Sequence, residues 1–499
     1  MPSPPSAANM SQVTQFSNGP SQPSPIIKVP PEIIMEIFKF AVLSSEGARS
    51  RGVKALCLVD KHWNDIANAT PDLWTKITLA YPFRRGQLSA AQKWLRASEP
   101  KIVDVEIDFC DPTWHDFRPE LSHPFFDPAP LGEVVAAATS RLHGSEHRWR
   151  SISIKSNIEE PIYQFLGAWV IPSLPALESI DLKMPSEMLG GDHLRTTPRQ
   201  PDGFPVLFGG NGTLVPKLRE VSICGVHLNW PSATAIAFRN LRKLEMKNQS
   251  YVHGPTIQQF SALIAASPGL ENLDVSGYCP AVDPTQTPPP LVRLPALKNL
   301  VFAWARVEPA CQFLMMLQIS ETLETLSLVD TEVGLGIRPM GNETPELIAR
   351  EYLGPRWIFE LLAILGSKEH KDNDPSGPRI SMCGLKSLSL SWTCIHRDVL
   401  YKLLENAPAI EEIRLTDVCE GVTKAIMDLV ESRSLPSLRR VYLRWVWRGG
   451  SGSGKAHLFI ERLQNAGVEV IFRKCDRDPE CSTPIGQKAQ LVKQDAAWA

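Results

Sequence analysis

The sequence predicts an α/β protein: a small helical bundle at the N-terminus, then an irregular solenoid built on a curved parallel sheet. Three observations carry this prediction. The apolar template L-x-x-L-x-L, with any aliphatic or large apolar residue allowed, recurs ten times between Trp149 and Leu443. Segments between recurrences carry apolar residues at i, i+3, i+4 spacing, the signature of amphipathic helices. Pro accounts for 43 of 499 residues, about 9% against a usual ~5%, so short elements joined by many turns are expected rather than one long bundle or coiled coil.

Composition sets the outer bounds. Hydrophobic residues make up 43% and charged residues 21% of the chain, enough to bury a core in about two to four domains. Lys+Arg 52 against Asp+Glu 54 leaves a net charge of -2, so no bulk attraction draws the chain to nucleic acid or to an anionic membrane surface. Ten Cys are scattered singly without a Cys-x-x-Cys pair, and Met1–Pro25 holds no basic stretch followed by an apolar run. An intracellular protein with reduced thiols, cytoplasmic or nuclear, is the expectation.

The elements follow in chain order. Residues 1–25, rich in Ser, Pro, Asn and Gln, bury too little apolar surface to offset their ordering entropy and are expected to be disordered. Pro31 suits a first helical turn, where its missing N–H has no partner to lose, and Glu32 complements the helix dipole. Ile33, Ile34, Ile37, Phe38 and Ala41 then read as one apolar helical face. A polar loop over Ser44–Gly52 precedes two short helices, Val53–Val59 and one through Trp63, Ile66 and Ala67. The turn Thr70-Pro71-Asp72 leads into Leu73-Trp74.

The run Val29-Pro30-Pro31-Glu32-Ile33, Ile37-Phe38, Leu56-x-Leu58-Val59, Trp63 and Leu73-Trp74 resembles an F-box, as in fungal F-box-like domain proteins. That motif is a bundle of small helices that docks on the Skp-type linker of a cullin–RING ubiquitin ligase. The resemblance covers about a tenth of the chain and places an F-box-like domain at 26–80. It implies Pro31, Glu32, Ile33, Ile37, Leu56, Val59 and Trp63 as the linker-binding surface. The loop Ser44–Gly52 is longer than the family's connector, and Asp60 stands where the family often has Cys or Ser.

From Trp149 the template runs through Leu177, Leu218, Leu241, Leu270, Leu297, Leu323, Leu385, Ile410 and Leu438 as first positions. Most neighbours lie about 23–29 residues apart, the period of leucine-rich repeats. Helices are expected between them at Thr256–Ala266, Ala310–Leu317, Asp398–Asn406 and Val422–Ser432. Strand, turn, helix, turn, repeated, makes a right-handed solenoid whose units are stable only as a stack. The solenoid is expected over 81–472, with insertions near 183–216 and 330–383, a capping unit at Leu458–Phe472, and a mobile tail at 473–499. The ninth repeat position, usually Asn or Cys, here reads Val226, Gln249, Tyr278, Thr331 and Thr393. Cys279, Cys394 and Cys419 follow one place later and faintly resemble cysteine-containing repeats of F-box proteins, although buried cysteines are commonly small hydrophobes.

Catalytic chemistry does not assemble. Gly449-Gly450-Ser451-Gly452-Ser453-Gly454-Lys455 has the G-x-x-x-x-G-K form of a phosphate loop, but Ala456 replaces the magnesium-binding hydroxyl. A Gly/Ser linker accounts for it as well. His115, His123, His143 and His147 lack metal-ligand spacing, and no Gly-x-Ser-x-Gly elbow is present. No enzyme activity, cofactor or metal is therefore expected.

Recognition is better supported. Position eight is Trp304, Trp392 and Trp445 in three repeats, large aromatics with a polar handle of the kind that form binding hot spots. Positions two, three and five are expected to face a concave surface: Glu271, Asn272 and Asp274, then Lys386, Ser387 and Ser389, then Arg439, Arg440 and Tyr442. Trp392, Tyr442, Arg444 and Trp445 mark the C-terminal third as the expected substrate-binding site. Together with the F-box resemblance this implies a substrate adaptor: docking on a Skp-type linker, through it on a cullin, and holding a protein substrate without bond chemistry of its own. The rival is a repeat scaffold that recruits no ligase, its N-terminal helices forming only a cap. Exposure of Ile33, Ile37 and Val59 discriminates between the two.

Overall fold

The computed structural model describes residues 29–43, 49–83, 86–110, 129–168, 173–184, 214–230, 238–249, 254–276, 291–304, 312–330, 380–391, 397–416, 418, 420–444 and 453–472. The expected disordered segment 1–25, most of both expected insertions and the tail at 473–499 lie outside them. So do Trp392, Trp445, Cys279, Cys394 and Cys419. Contacts divide the chain into two units, Met1–Lys76 with Arg96–Lys101, and Ile77–Leu95 with Ile102–Ala499.

The first unit is helical: α1 (Pro31–Leu43), α2 (Arg49–Val59), α3 (Lys61–Asn68) and a 3-10 turn at Pro71–Trp74. The α1 residues expected to share one face occupy two. Ile34, Phe38 and Val42, four apart, are buried, whereas Ile33, Ile37 and Ala41 face solvent. Adjacent residues on a helix diverge by about 100°, so Ile33 and Ile34 cannot both point at one small core. Phe38 packs on Trp63, ring centroids 4.9 Å apart. Asp60, the departure from the family pattern, is the N-cap of α3: its carboxylate accepts from the Trp63 N–H at 2.8 Å, the role a Ser would fill. Trp74 is fixed by its indole N–H donating to the Ala67 carbonyl at 2.8 Å. Asp72 pairs with Lys39 at 3.5 Å and Lys101 at 3.1 Å. The expected polar loop is shorter than its span, because Arg49–Gly52 already belong to α2.

The second unit is a leucine-rich-repeat-like α/β solenoid. Among the described residues its main sheet has 13 strands in the order β1-β2-β3-β4-β5-β6-β7-β9-β11-β12-β13-β14-β15. The strands are β1 (Lys76–Ala80), β2 (Val103–Asp108), β3 (Trp149–Lys155), β4 (Ser179–Lys183), β5 (Glu220–Cys224), β6 (Lys243–Lys247), β7 (Asn272–Ser276), β9 (Asn299–Trp304), β11 (Thr325–Asp330), β12 (Ser387–Ser391), β13 (Glu412–Thr416), β14 (Arg440–Arg444) and β15 (Glu469–Phe472). Neighbours from β2 to β15 pair parallel and in register, so template positions stack in columns, such as Leu244 on Leu273 and Leu388 on Ile413. All thirty template residues, three in each of ten repeats, are at most 8% exposed. That stacked ladder is the core, and it explains why one unit alone has nothing to bury against.

Helices occupy the intervals: α4 (Gln87–Ala97), α5 (Ala129–Leu142), α6 (Glu159–Ala168), α7 (Ile257–Ala265), α8 (Arg397–Glu405), α9 (Glu420–Glu431) and α10 (Ser453–Asn465). Thr256 and Gln259 form a reciprocal capping box at the start of α7, which fixes where this helix begins.

Several expectations need correction. β1 and β2 precede the first expected repeat, and β1 falls inside the span assigned to the F-box-like domain. Ile77 and Leu79, then Val103, Val105 and Ile107, alternate with polar residues, a period-2 signal that the leucine template does not capture. The helix expected at Ala310–Leu317 is cut short. Leu317–Ile319 is β10, paired parallel with β8 (Val292–Leu294) in a separate two-stranded sheet. Of the expected Gly/Ser linker, Ser453–Lys455 form the first turn of α10, while residues 449–452 lie outside the described residues.

Candidate functional site

Two surfaces have the chemistry of binding sites, one on each unit. On the helical unit, Ile33 and Ile37 are each 52% exposed and Val59 57%. Pro31 and Glu32 are exposed, and Leu56 and Trp63 are half-buried. Phe40, 79% exposed, and Leu58, 84%, are apolar and more exposed still, and sequence reasoning did not assign them to the surface. Phe40 was legible: it stands seven residues after Ile33 and continues the Ile33–Ile37 stripe. Large apolar side chains this exposed, on a unit that already has its own core, mark an interaction surface.

On the solenoid, positions three and five of each repeat strand face away from the core. Positions three and five of β7, β12 and β14 are half-buried and alternate with fully buried neighbours. Tyr442 and Arg444 share this open face with Arg414, whose guanidinium lies 5.2 Å from the centroid of the Tyr442 ring. Glu412 is ion-paired to Arg414 at 3.4 Å and also to Arg440. Arg444 has no ion-pair partner among the described residues. Of the expected substrate site the structure therefore brings together Tyr442 and Arg444. The side chains of all three position-eight tryptophans lie outside what is described.

Position two does not belong to this face. Its residues stack along the edge where strands begin, each N–H donating to the position-two carbonyl of the preceding repeat. The series includes Glu271 to Arg242 at 2.9 Å, Lys298 to Glu271 at 2.9 Å and Lys386 to Glu324 at 2.8 Å. Their side chains alternate in sign along Arg242, Glu271, Lys298, Glu324, Lys386, Glu411 and Arg439, with ion pairs at Lys298–Glu271 (2.7 Å) and Lys386–Glu324 (3.2 Å). Glu271 and Lys386, expected to meet a partner, are engaged with neighbouring repeats instead.

The N-terminal half of the open face is charged and internally paired. From the position-two edge Arg150 Nε reaches over to donate to Asp104 at 3.0 Å, and the Ser151 hydroxyl donates to the same carboxylate at 2.7 Å. Lys183 pairs with Asp181 at 2.8 Å, Lys243 with Glu245 at 2.9 Å and Lys247 with Asp274 at 2.8 Å. Burial opposes ionisation of Glu245, but Lys243, Lys247 and the Ser222 hydroxyl outweigh it and hold the carboxyl below its ordinary pKa. Burial likewise opposes the Lys247 charge, and Asp274 and Glu245 overcome it and raise that amine. At the end of β2, burial and then Asp108 push the Cys110 thiol up to about 12, so it stays protonated at neutral pH. Gln249, at the ninth position, is buried and donates to the Lys247 carbonyl at 3.2 Å, the turn-stabilising job Asn does in regular repeats. Among the described residues no cluster of three or more His, Cys, Asp or Glu is placed to hold a metal ion, and no helix is long and apolar enough to cross a membrane.

No family model matches the chain, and no curated protein matches it. Among solved structures it is similar to the complex of Rad7 and Elc1 in yeast, at 12% identity and a TM-score of 0.38, covering 83% of this chain and 88% of that one. It is also similar to the leucine-rich repeat-containing protein LegL7 from Legionella pneumophila, at 12% identity and a TM-score of 0.29, covering 80% of this chain and 90% of the other. TM-scores at this level leave the fold to be argued from strand order and register alone.

Proposed function

We propose that the chain is a non-enzymatic substrate adaptor of a cullin–RING ubiquitin ligase. Its helical unit docks on a Skp-type linker and its solenoid holds a protein substrate. The observation that supports this reading is the exposure of Ile33, Ile37 and Val59 on a bundle whose own core is already supplied by Ile34, Phe38, Val42, Ile66 and Trp74. Burying the exposed half of such side chains against a partner returns about 1 kcal/mol each, which adds up over a docking helix. The solenoid supports the second half of the reading, since a stack of parallel strands presents a long row of outward side chains to a partner. Transfer of ubiquitin would then be favoured by proximity: the adaptor raises the effective concentration of substrate lysines near the conjugating enzyme and breaks no bond itself. Such a protein works in the cytoplasm or nucleus and requires no cofactor.

The test is Ile33→Asp with Ile37→Asp. Both positions are half-exposed, so the variant folds, while a charge facing an apolar partner costs several kcal/mol. Co-precipitation with the linker is expected to vanish with the melting temperature unchanged. Undiminished co-precipitation would overturn the reading in favour of a scaffold whose helices serve only as a cap.

A further inference from the structure

The open face changes character along the stack. On β2–β7 the outward strand positions carry seven carboxylates against four lysines, whereas positions three, five and seven of β9, β11 and β12 are uncharged. On β13 and β14 three arginines meet one carboxylate. Register places Ser387, Glu412 and Arg440 in one column, Ser389, Arg414 and Tyr442 in the next, and Ser391, Thr416 and Arg444 in the third. The carboxylates thus sit at the strand starts, Glu412 already shared by Arg414 and Arg440 and Glu469 of β15 in register with Arg440. The two columns beyond them hold Arg414, Arg444, an aromatic ring and hydroxyls, with no anion.

Arg414 and Arg444 are one strand and two residues apart, about 8 Å between Cα atoms from ordinary strand spacings. Carboxylates two residues apart on an extended peptide are separated by about 7 Å, close enough for one on each guanidinium. The Tyr442 ring holds the Arg414 guanidinium over its face, which lessens the ordering cost of binding. Serine and threonine hydroxyls complete the lining as neutral donors.

We infer that the open face of β12–β14 binds a carboxylate-bearing acidic peptide segment of a protein partner, gripped by Arg414 and Arg444 beside Tyr442. The spacing of the two guanidiniums suits carboxylates on alternate residues of an extended peptide, and a phosphoserine peptide is the arm of the test that checks this choice. The seven carboxylates on β2–β7 select against a nucleic acid, which would need cationic surface along its whole track. The inference rests on the reading of the solenoid as the substrate-holding part, and it is independent of the linker.

The experiment is fluorescence anisotropy with the full chain and labelled twelve-residue peptides of alternating Ser-Glu, Ser-Gln and Ser-phosphoserine, together with oligouridylate. The Ser-Glu peptide is expected to bind at least tenfold more tightly than the Ser-Gln peptide, and to weaken as salt rises from 50 to 300 mM. Arg444→Ala is expected to weaken it about tenfold with the melting temperature unchanged, because Arg444 has no ion-pair partner among the described residues. Arg150→Ala, on β3, should leave binding as it is. Equal binding of the neutral peptide, an Arg444→Ala variant with full affinity, or tighter binding of the phosphopeptide or oligouridylate would each overturn the inference. No linker enters the assay, so failure here leaves docking at Ile33 and Ile37 standing, and loss of docking leaves this result standing.

Discussion

The two halves of the open face solve the same problem differently. Between β3 and β7 opposite charges pair along a strand or diagonally between neighbouring strands: Asp181 with Lys183, Glu245 with Lys243 and Lys247, Lys247 with Asp274. From β9 onward hydroxyl, amide and aliphatic residues replace them, and the charges that return on β13 and β14 are unbalanced toward arginine. A self-paired surface has little to gain from a partner, since any new ion pair must first break an old one. A surface whose arginines outnumber its carboxylates has that gain in reserve. The difference teaches where to look: internal pairing marks a face used for stacking, and its lapse marks a face left for recognition.

The largest expected effect lies in the turns that launch the strands. A Cβ on Gly384, ahead of β12, would collide with the Glu321 backbone carbonyl, whereas one on Gly269, ahead of β7, meets nothing within 4 Å. Backbone cannot swing aside as a flexible side chain does, so Gly384→Ala is expected to cost about 2 kcal/mol. Gly269→Ala should be neutral or slightly stabilising. Chemical denaturation of both variants checks this, and equal midpoints would show that the close approach at Gly384 relaxes without cost.

The paired half is also the half that titrates. Replacing Glu245 by Gln removes the partner of Lys243 and leaves Lys247 with Asp274, and is expected to cost about 1 kcal/mol, whereas Arg444→Gln should fall within about 0.5 kcal/mol of the parent. The carboxyl of Glu245 sits below its ordinary value in the folded chain. Its contribution is therefore present above the unfolded pKa of about 4.3 and is lost as pH falls through the lower folded value. Stability measured from pH 6 to pH 3 should decline less steeply in Glu245→Gln than in the parent, and Arg444→Gln should leave that slope as it was.

How much of this was readable beforehand follows from what each signal measures. Buried columns are dictated by apolar side chains every two or three residues, so all ten template repeats lie in the core. β1 and β2 escaped because their apolar residues alternate without the leading leucine three places earlier, a pattern shared with any half-buried strand. β10 was hidden in an apolar run, Phe313 to Ile319, where helix and strand periods cannot be told apart over so few residues. On α1 the apolar content was plain, but its division into Ile34, Phe38 and Val42 inside and Ile33, Ile37 and Phe40 outside depends on helix phase. The position-two ladder was fully written in the sequence, as alternating Arg, Glu, Lys, Glu, Lys, Glu, Arg one repeat apart. Its period is the repeat, not the strand, so it does not show in the charge pattern along any one strand.

The finest test of the contrast is at Glu412, the one carboxylate among the arginines. If the C-terminal half is held ready for an external anion, Glu412 is its internal competitor: it occupies Arg414 at 3.4 Å and Arg440 on the neighbouring strand. Glu412→Gln keeps the shape and a hydrogen-bonding oxygen but removes the charge, so Arg414 is freed toward the peptide and the repulsion of incoming carboxylates disappears. Half-exposed pairs of this kind contribute a few tenths to about 1 kcal/mol, so the Ser-Glu peptide should bind about threefold more tightly at 50 mM salt, and the gain should shrink at 300 mM as screening takes over. The corresponding change in the paired half, Glu245→Gln, removes an anion that is not in competition with the peptide and should leave peptide affinity unmoved. A peptide that binds Glu412→Gln more weakly would mean that Glu412 orients the arginines rather than competing for them, and that β13 and β14 are paired on the same plan as β6 and β7.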